Sequence, residues 1–240
     1  MEYDKYFEWR RVTPDMYAKF TLPAYLCEVL PKDKNSLIVD FGCGFGQTLL
    51  AIREKGYTNI AGIDISLEAI DFCEKQNLKI YKGFEDVGLS EIKNKGGADF
   101  LIASHVIEHI PKEEIIPTLE KLFSLLKPGG KLLVMVPNAQ SNTDAYWRYE
   151  DFTHHILFTS GSIYYVLRAA GFSKISFLDI DCTSGGRRGI WIIKIMIKTL
   201  LWFYKLNKKF WNAVTRSIYH GPSEDIYSFE IKVLAEKTVS

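Results

Sequence analysis

The sequence predicts an α/β fold: a doubly wound, mostly parallel sheet of seven strands with helices on both faces. Short apolar runs alternate with helical segments of about 10–15 residues, which is the pattern of buried parallel strands joined by helices. A glycine-rich turn follows the first run, and a long helical appendage precedes the last one. The 240 residues, 47% of them hydrophobic, are enough to bury one continuous core.

Apolar runs and helix-capping residues give the order of the elements. Thr13 and Pro14 suit the start of a helix, while Gly56 and Gly171 suit helix ends. Strands are predicted at residues 37–39, 60–65, 78–82, 100–103, 131–136, 175–180 and 227–237. Helices are predicted at residues 14–30, 47–55, 66–76, 111–126 and 160–170. The predicted domains are a helical cap over 1–34, a central domain over 35–180 with 227–240, and a helical insertion over 181–226.

Composition and charge narrow the class of partner and the compartment. With 30 basic and 29 acidic side chains, the net charge of +1 offers no broad basic surface, so we expect no nucleic-acid partner. The start of the chain is charged and aromatic, unlike a secretory leader. The four cysteines (Cys27, Cys43, Cys73 and Cys182) are scattered, which is typical of reduced thiols. We therefore expect a cytoplasmic protein.

The glycine-rich turn over residues 40–46, DFGCGFG, is the most informative segment. Its glycines allow main-chain N–H groups to approach a ligand closely. The spacing is G-x-G-x-G rather than the G-x-G-x-x-G of dinucleotide sites, and the carboxylate of Asp40 would repel a phosphate. Asp64, at the end of the second predicted strand, can accept hydrogen bonds from ribose hydroxyls. Together they favour a ribose-containing cofactor with an amino group and no phosphate.

Five segments together resemble the class I S-adenosyl-L-methionine (SAM)-dependent methyltransferases, which have a Rossmann-like fold. They are DFGCGFG at 40–46, GIDIS at 62–66, FED at 84–86, ADFLIASHVIEHI at 98–110 and LKPGGKLLVMVPN at 126–138. In that family the first segment holds the methionine part of SAM and the second-strand acid holds the ribose. The residue flanking the adenine corresponds to Glu85, with Phe84 and Asp86 as alternatives. The cofactor-binding residues that the resemblance implies are Asp40, Gly42, Cys43, Gly44, Gly46, Asp64, Ile65, Glu85 and Ser104.

The histidine-rich segment after the fourth strand is a candidate metal site. On a helix, His105, Glu108 and His109 would share one face. The segment resembles the Glu-x-x-Glu-His of methyltransferases that bind a divalent metal, with His105 replacing the first glutamate. The candidate ligands are His105, Glu108, His109 and His155, with His154 as the alternative to His155, and the candidate ions are Mn²⁺, Zn²⁺, Fe²⁺ and Mg²⁺.

The same residues are candidates for catalysis without a metal. A histidine has an unperturbed pKa near neutrality and can remove the proton of an acceptor hydroxyl. The catalytic candidates are His109, His155 and Glu108. A structural role for each histidine remains the alternative.

The segment after the fifth strand is expected to recognise the acceptor, as in the resembled family. The substrate candidates are Asn138, Trp147, Arg148, Tyr149 and His154. Aromatic faces with one arginine suit a sugar or a phosphorylated small molecule, and Arg187 and Arg188 could add to an anion site. Residues 151–172 resemble members associated with bacterial surface polysaccharides such as capsule, which implies O-methylation of a glycan precursor. N-methylation, methylation of a phenol or quinone, and a non-catalytic SAM-binding subunit are the alternatives.

The insertion contains an amphipathic stretch over residues 190–217. At 3.6 residues per turn its polar side chains form one stripe about 100° wide. The stripe consists of Lys194, Lys198, Lys205, Lys208, Lys209, Asn212 and Arg216. The apolar remainder, including Trp191, Trp202, Phe203 and Trp211, must be covered. Packing on the catalytic domain, a homodimer, and peripheral contact with the inner face of an anionic membrane all stay open.

Overall fold

The computed structural model describes residues 5–141, 144–181, 191–216 and 224–238. Cys182, expected to be a reduced thiol, and Arg187 and Arg188, expected to add to an anion site, lie outside the described residues. A seven-stranded sheet forms the centre of the molecule. Its strands are β1 Ile38–Phe41, β2 Ile60–Asp64, β3 Lys79–Lys82, β4 Ala98–Ser104, β5 Leu126–Pro137, β6 Ser173–Leu178 and β7 Glu230–Glu236.

The order of the strands is β3-β2-β1-β4-β5-β7-β6. The first five strands in the chain pair in parallel, while β7 lies antiparallel between β5 and β6. This arrangement confirms the predicted mostly parallel sheet. Because strand order reverses beside β1, the carboxyl ends of β1 and β4 border a crevice, the usual ligand site of such sheets.

Nine α-helices are present in the described ranges. They are α1 Tyr6–Trp9, α2 Ala24–Val29, α3 Gln47–Glu54, α4 Leu67–Lys75, α5 Leu89–Asn94, α6 Ile115–Leu125, α7 Asp144–Glu150, α8 Ser160–Ala169 and α9 Trp191–Thr215. The start of α8 shows a capping box between Thr159 and Ser162, which satisfies otherwise unpaired backbone N–H groups. None of these helices is long and apolar enough to cross a membrane.

Several predicted boundaries were wrong. The helix expected over residues 14–30 is a 3-10 turn over Pro14–Tyr17 followed by the separate helix α2. Pro23 explains the break, because proline lacks an N–H and disfavours helix in the residue before it. The short helices α5 and α7 were not predicted, since neither shows a long apolar period.

The core lies on both faces of the sheet. The larger cluster joins the sheet to α5, α6 and α8 through residues such as Leu101, Leu119 and Leu167. The smaller one packs α2 against the other face through Leu26 and Phe100. Both clusters support the strand ends that border the crevice.

Candidate active site

A cavity of about 690 Å³ opens at the carboxyl ends of the central strands. Its lining includes Gly42, Gly44 and Asp64 together with His105 and His109. Residues of α1 and the turn after it complete the wall. Its volume is in the range of small-molecule sites, and it joins the predicted cofactor residues to part of the histidine-rich segment.

The glycine loop lies between β1 and α3, as the sequence predicts. Gly42, Gly44 and Gly46 all have positive φ, at 72°, 51° and 73°. A Cβ on Gly42 would lie 2.6 Å from the Val106 Cγ2 atom, so a larger residue would not fit against the cavity wall. Cys43 is buried beneath the loop and packs with α4 rather than facing the cavity.

Asp64 ties the glycine loop to the end of β2. Its Oδ2 accepts a hydrogen bond from the Gly44 N–H at 2.7 Å. Its Oδ1 accepts from the N–H groups of Ile65 and Ser66, at 2.8 and 2.9 Å. Burial raises the pKa of Asp64, although the three N–H donors act in the opposite direction. Asp64 and Ile65 both line the cavity, as does Ser104 at the end of β4.

Asp40 lies behind the loop rather than in the cavity wall. It is buried, and its Oδ1 accepts no hydrogen bond within the described part of the chain. Burial, together with the negative charge of Asp64, raises the pKa of Asp40 to about 8. Burying an unpaired polar atom costs free energy that a hydrogen-bond donor reaching Asp40 from the glycine loop would recover.

The raised pKa of Asp40 gives a testable dependence of stability on pH. The folded protein retains a proton on Asp40 between the unfolded value of 3.8 and about 8, so this group contributes stability that is lost as the pH rises through that range. Unfolding by urea at several pH values should show a flatter profile for Asp40→Asn. The two slopes should differ by up to about 1.4 kcal/mol per pH unit, the limit for one proton. The exposed Asp71→Asn should keep the wild-type slope, and equal slopes for Asp40→Asn would contradict the assignment.

The segment after β3 places Phe84 rather than Glu85 at the cavity. Phe84 lines it and lies 5.0 Å from the Phe41 ring, between centroids. The Glu85 side chain is 95% exposed and lies 4.0 Å from the Lys121 ammonium group. Asp86 accepts hydrogen bonds from the backbone N–H groups of Lys82 and Gly88, which fold the turn. The aromatic alternative of the sequence prediction therefore fits an adenine best.

His105 lines the cavity between two carboxylates. Its backbone has a φ of 51°, an uncommon value that concentrates at functional sites. Its Nε2 lies 3.0 Å from Glu230 Oε2, and its Nδ1 lies 3.4 Å from Glu108 Oε1. Burial opposes the charge, but both carboxylates outweigh it and raise the pKa of His105 to about 10. Both ring nitrogens of His105 thus face carboxylates, and the group of potential metal ligands among the described residues is Glu108, His109 and His154, without His105.

Glu108, His109 and His154 form a group that we call the histidine cluster. One potential ligand atom from each lies within 4.8 Å of the others. Glu108 is completely buried, and neither of its carboxylate oxygens accepts a hydrogen bond from the described residues. The predicted helix over HVIEH is only a 3-10 turn, Ile107–His109. The third member of the cluster, His154, comes from a segment distant in sequence, and its Nε2 lies 4.0 Å from Glu108 Oε1.

Hydrogen bonds made by Nδ1 show that this nitrogen carries a proton in both histidines of the cluster. His154 Nδ1 donates to the Trp147 carbonyl oxygen at 2.7 Å. The Thr153 hydroxyl donates to Asp151 at 2.6 Å, so the His109 Nδ1–H donates to that hydroxyl oxygen at 2.7 Å. A neutral ring at either position has its lone pair on Nε2, and the Nε2 of His154 lies 4.0 Å from Glu108 Oε1. Burial lowers the pKa of His109, which keeps the ring neutral.

Tyr6 and Arg10 belong to the same hydrogen-bond network as Asp151. The sequence did not predict their contacts. The Tyr6 hydroxyl donates to Asp151 Oδ2 at 2.8 Å, and the Arg10 guanidinium lies 2.6 Å from the same oxygen. Tyr6 also contacts the His109 ring edge-on, at 5.8 Å between centroids. The aromatic residues at the start of the chain were visible in the sequence, but no spacing links them to Asp151.

The remaining predicted residues lie outside the cavity. His155 is exposed, and its backbone N–H donates to the Glu108 carbonyl oxygen, so His154 replaces it in the cluster. The Asn138 amide bonds to the backbone of residues 140, 226 and 228, which gives it a structural role. Trp147 packs 5.6 Å from Phe229, while Arg148 and Tyr149 are exposed.

Comparison with known proteins gives the family. A family model described as a methyltransferase domain matches residues 15–176, well over half of the chain. The chain belongs to this methyltransferase domain family. The matched residues include the glycine loop, most of the cavity wall and the histidine cluster. The methyltransferase family that the five sequence segments predicted is therefore confirmed.

Curated relatives of this methyltransferase match over part of their length. The chain is 34% identical over 104 residues to the tRNA (carboxymethyluridine(34)-5-O)-methyltransferase alkbh8 of Xenopus tropicalis, covering 43% of this chain and 16% of that protein. It is 31% identical over 143 residues to the carboxy-S-adenosyl-L-methionine synthase of Colwellia psychrerythraea, covering 51% and 56%. The chain thus spans little more than half the length of these relatives at most. Because one of them is a tRNA methyltransferase, the expected absence of a nucleic-acid partner stays a prediction.

Solved structures support the fold. A SAM-dependent methyltransferase from Archaeoglobus fulgidus superposes with a TM-score of 0.61 at 21% identity, covering 99% of this chain and 100% of that one. The Haemonchus contortus phosphoethanolamine N-methyltransferase 2, solved in complex with SAM, gives a TM-score of 0.58 at 13% identity, covering 100% and 60%. The sheet and its flanking helices are therefore those of the SAM-dependent methyltransferases.

Proposed function

We propose that this protein transfers the methyl group of SAM to a hydroxyl of a polar small molecule, with a divalent metal held by Glu108, His109 and His154. The observation that carries the proposal is the buried Glu108 carboxylate, which accepts no hydrogen bond among the described residues, has His105 at 3.4 Å and forms a group with His109 and His154. A sugar or phosphorylated precursor of a surface polysaccharide is the acceptor class that we favour, on the family resemblance of residues 151–172.

The cofactor end of the cavity fits SAM by its donors and acceptors. Gly42 and Gly44 leave room for main-chain contact, and Asp64 retains acceptor capacity for ribose hydroxyls. Phe84 offers an aromatic face to the adenine, and Asp40 offers its unsatisfied oxygen below the loop. SAM supplies the methyl group as a sulfonium, and the protein must align that group with the acceptor oxygen.

The histidine cluster fits a metal by the chemistry of its donors. Two imidazoles and one carboxylate are a common ligand set for Zn²⁺, Mn²⁺ or Fe²⁺. Each imidazole donates its Nδ1–H to an oxygen, the usual second contact of a metal-ligating histidine. A metal bound there would lower the pKa of an acceptor hydroxyl. His105, held as a cation by Glu108 and Glu230, would limit the net negative charge of the site.

His109 is the residue that can take the acceptor proton if no metal binds. Burial lowers its pKa, which favours the neutral ring at neutral pH, and Thr153 with Asp151 holds the ring in one tautomer. His109 lines the cavity, so it can face the acceptor directly. Either chemistry favours an oxygen acceptor, because an alcohol gains most from losing its proton during transfer.

Metal binding can be measured without knowing the acceptor. We expect equilibrium dialysis against Mn²⁺ or Zn²⁺, followed by elemental analysis, to give about one ion per chain for a three-ligand site. Glu108→Gln and His154→Ala should each reduce the affinity by at least about tenfold. The exposed His155→Ala is the matched control and should keep wild-type affinity. Failure of the wild-type protein to retain an ion would remove the metal from the proposal.

The acceptor class requires a separate assay with SAM labelled in its methyl group. Pure protein would be incubated with nucleotide-activated sugars, free sugars, phenols, amines and tRNA, with Mn²⁺ and with EDTA. Transfer to a sugar hydroxyl supports the proposal, and transfer mainly to an amine or to tRNA contradicts it. A non-catalytic SAM-binding subunit would bind S-adenosylhomocysteine (SAH), the demethylated product of SAM, and label no acceptor.

A further inference from the structure

Helix α9 contacts the rest of the molecule with its polar side. Its half-buried residues are Leu201, Tyr204, Lys205, Lys208 and Asn212, which recur at helical spacing. Lys205 pairs with Asp181 at 2.8 Å, and Lys208 lies 3.6 Å from Asp225. The polar stripe predicted from the sequence thus faces two acids of the insertion and the ring of Tyr227 in part, instead of facing solvent throughout.

The opposite side of α9, which we call the outer face, is apolar and exposed. Its members are Ile195, Met196, Leu200, Trp202, Phe203, Leu206, Phe210, Trp211 and Val214, each 44–60% exposed. At 100° per residue they span about half of the helix circumference. Monomeric proteins in water rarely expose a continuous apolar patch of this kind. Such a patch is typical of a site that binds a membrane or another protein.

The charges of α9 indicate which kind of surface the outer face would bind. The sequence from 191 to 216 contains six basic residues and no acidic residue. Lys198, Lys209 and Arg216 are exposed and border the outer face on one side. Two copies of α9 packed through their outer faces would bring these cations together without any acid from either helix. An anionic surface with an apolar interior satisfies both the cations and the apolar side chains.

We propose that α9 binds the surface of an anionic lipid bilayer, with its outer face inserted at the headgroup boundary. The helix lies parallel to the bilayer, since it is not apolar enough to span a membrane. Trp202 and Trp211 have the amphipathic rings that favour this boundary. The proposal concerns attachment of the protein and does not depend on which acceptor is methylated.

The test is flotation of the full chain with lipid vesicles. One set would contain phosphatidylcholine alone, and the other about 30% phosphatidylglycerol, which supplies the negative surface charge. We expect binding to the anionic vesicles, weakened at least about tenfold in about 1 M NaCl because salt screens the attraction. Binding to both sets with equal affinity would overturn the proposal.

Matched variants separate the outer face from the rest of the surface. Phe203→Ser with Phe210→Ser should weaken binding at least about thirtyfold, and Lys198→Glu with Lys209→Glu at least about tenfold. The control pairs are Val87→Ser with Tyr165→Ser, and Lys55→Glu with Lys95→Glu, all exposed and outside α9. The controls should bind as the wild type does. Circular dichroism would verify that every variant is folded.

The main rival is a second copy of the chain. Sedimentation velocity without lipid should give a monomer if the outer face is reserved for the bilayer. A dimer that dissociates in the Phe203→Ser, Phe210→Ser variant, together with no vesicle binding by the wild type, would overturn the proposal in favour of self-association. None of these readouts uses methyl transfer, so the proposed function can fail while this inference stands.

Discussion

Replacing Asp64 with alanine should reduce the affinity for SAH by at least about a hundredfold. The carboxylate accepts three backbone N–H groups, one of them from Gly44 in the glycine loop. Hydrogen bonds to charged groups contribute about 1.5–3 kcal/mol each, so losing the loop contact and the ribose contacts together exceeds the roughly 2.7 kcal/mol of a hundredfold change. Isothermal titration calorimetry would measure the dissociation constants.

Two further variants show whether the effect is specific to Asp64. Asp64→Asn keeps one acceptor oxygen and should lose less affinity than the alanine variant. Asp71→Ala removes an exposed acid on α4 that pairs with Lys75, and its affinity should equal that of the wild type. If Asp64→Ala binds SAH as tightly as the wild type, the ligand does not use this end of the cavity.

Lys232→Ala should lower the free energy of unfolding by about 3–5 kcal/mol, the range for breaking a buried ion pair. Lys232 is only 2% exposed on β7, and its ammonium group lies 3.1 Å from Asp179 and 3.4 Å from Glu230. It also lies 4.9 Å from the centre of the Tyr25 ring. The alanine variant leaves two carboxylates in the interior without this cation.

Urea unfolding followed by circular dichroism would measure this loss. The matched control is Lys174→Ala, whose partner Glu236 lies at 3.0 Å but whose own side chain is 68% exposed. Surface pairs of this kind contribute about 0–1 kcal/mol, so this variant should stay near the wild type. Equal stability losses for both alanine variants would mean that burial does not set the strength of the Lys232 contacts.

The sheet was predictable because its signals are local. Each buried strand is a short apolar run between turn residues, and the glycine loop and Asp64 follow two of those runs directly. Their proximity follows from the rule that the carboxyl ends of parallel strands share one edge. The strand order and the antiparallel position of β7 were not predictable in this way, because strand pairing depends on contacts distant in sequence.

The histidine cluster was predictable only in part. The segment HVIEH indicated that Glu108 and His109 belong together, but the helix period assigned to it was wrong because the chain turns after β4 in a 3-10 conformation. The choice between His154 and His155 depends on which side chain faces inward. That choice is made by the hydrogen bond from His154 to the Trp147 carbonyl oxygen, which no sequence period encodes.

Helix α1 contacts both the glycine loop and the hydrogen-bond network around the histidine cluster. Phe7 packs on Phe45 of the glycine loop, at 4.4 Å between ring centroids, while Tyr6 bonds to the Asp151 that orients the cluster through Thr153. Adjacent residues of one short helix therefore connect the donor compartment to the acceptor compartment. A displacement of α1 would therefore break the contact with the glycine loop and the contact with Asp151 at the same time.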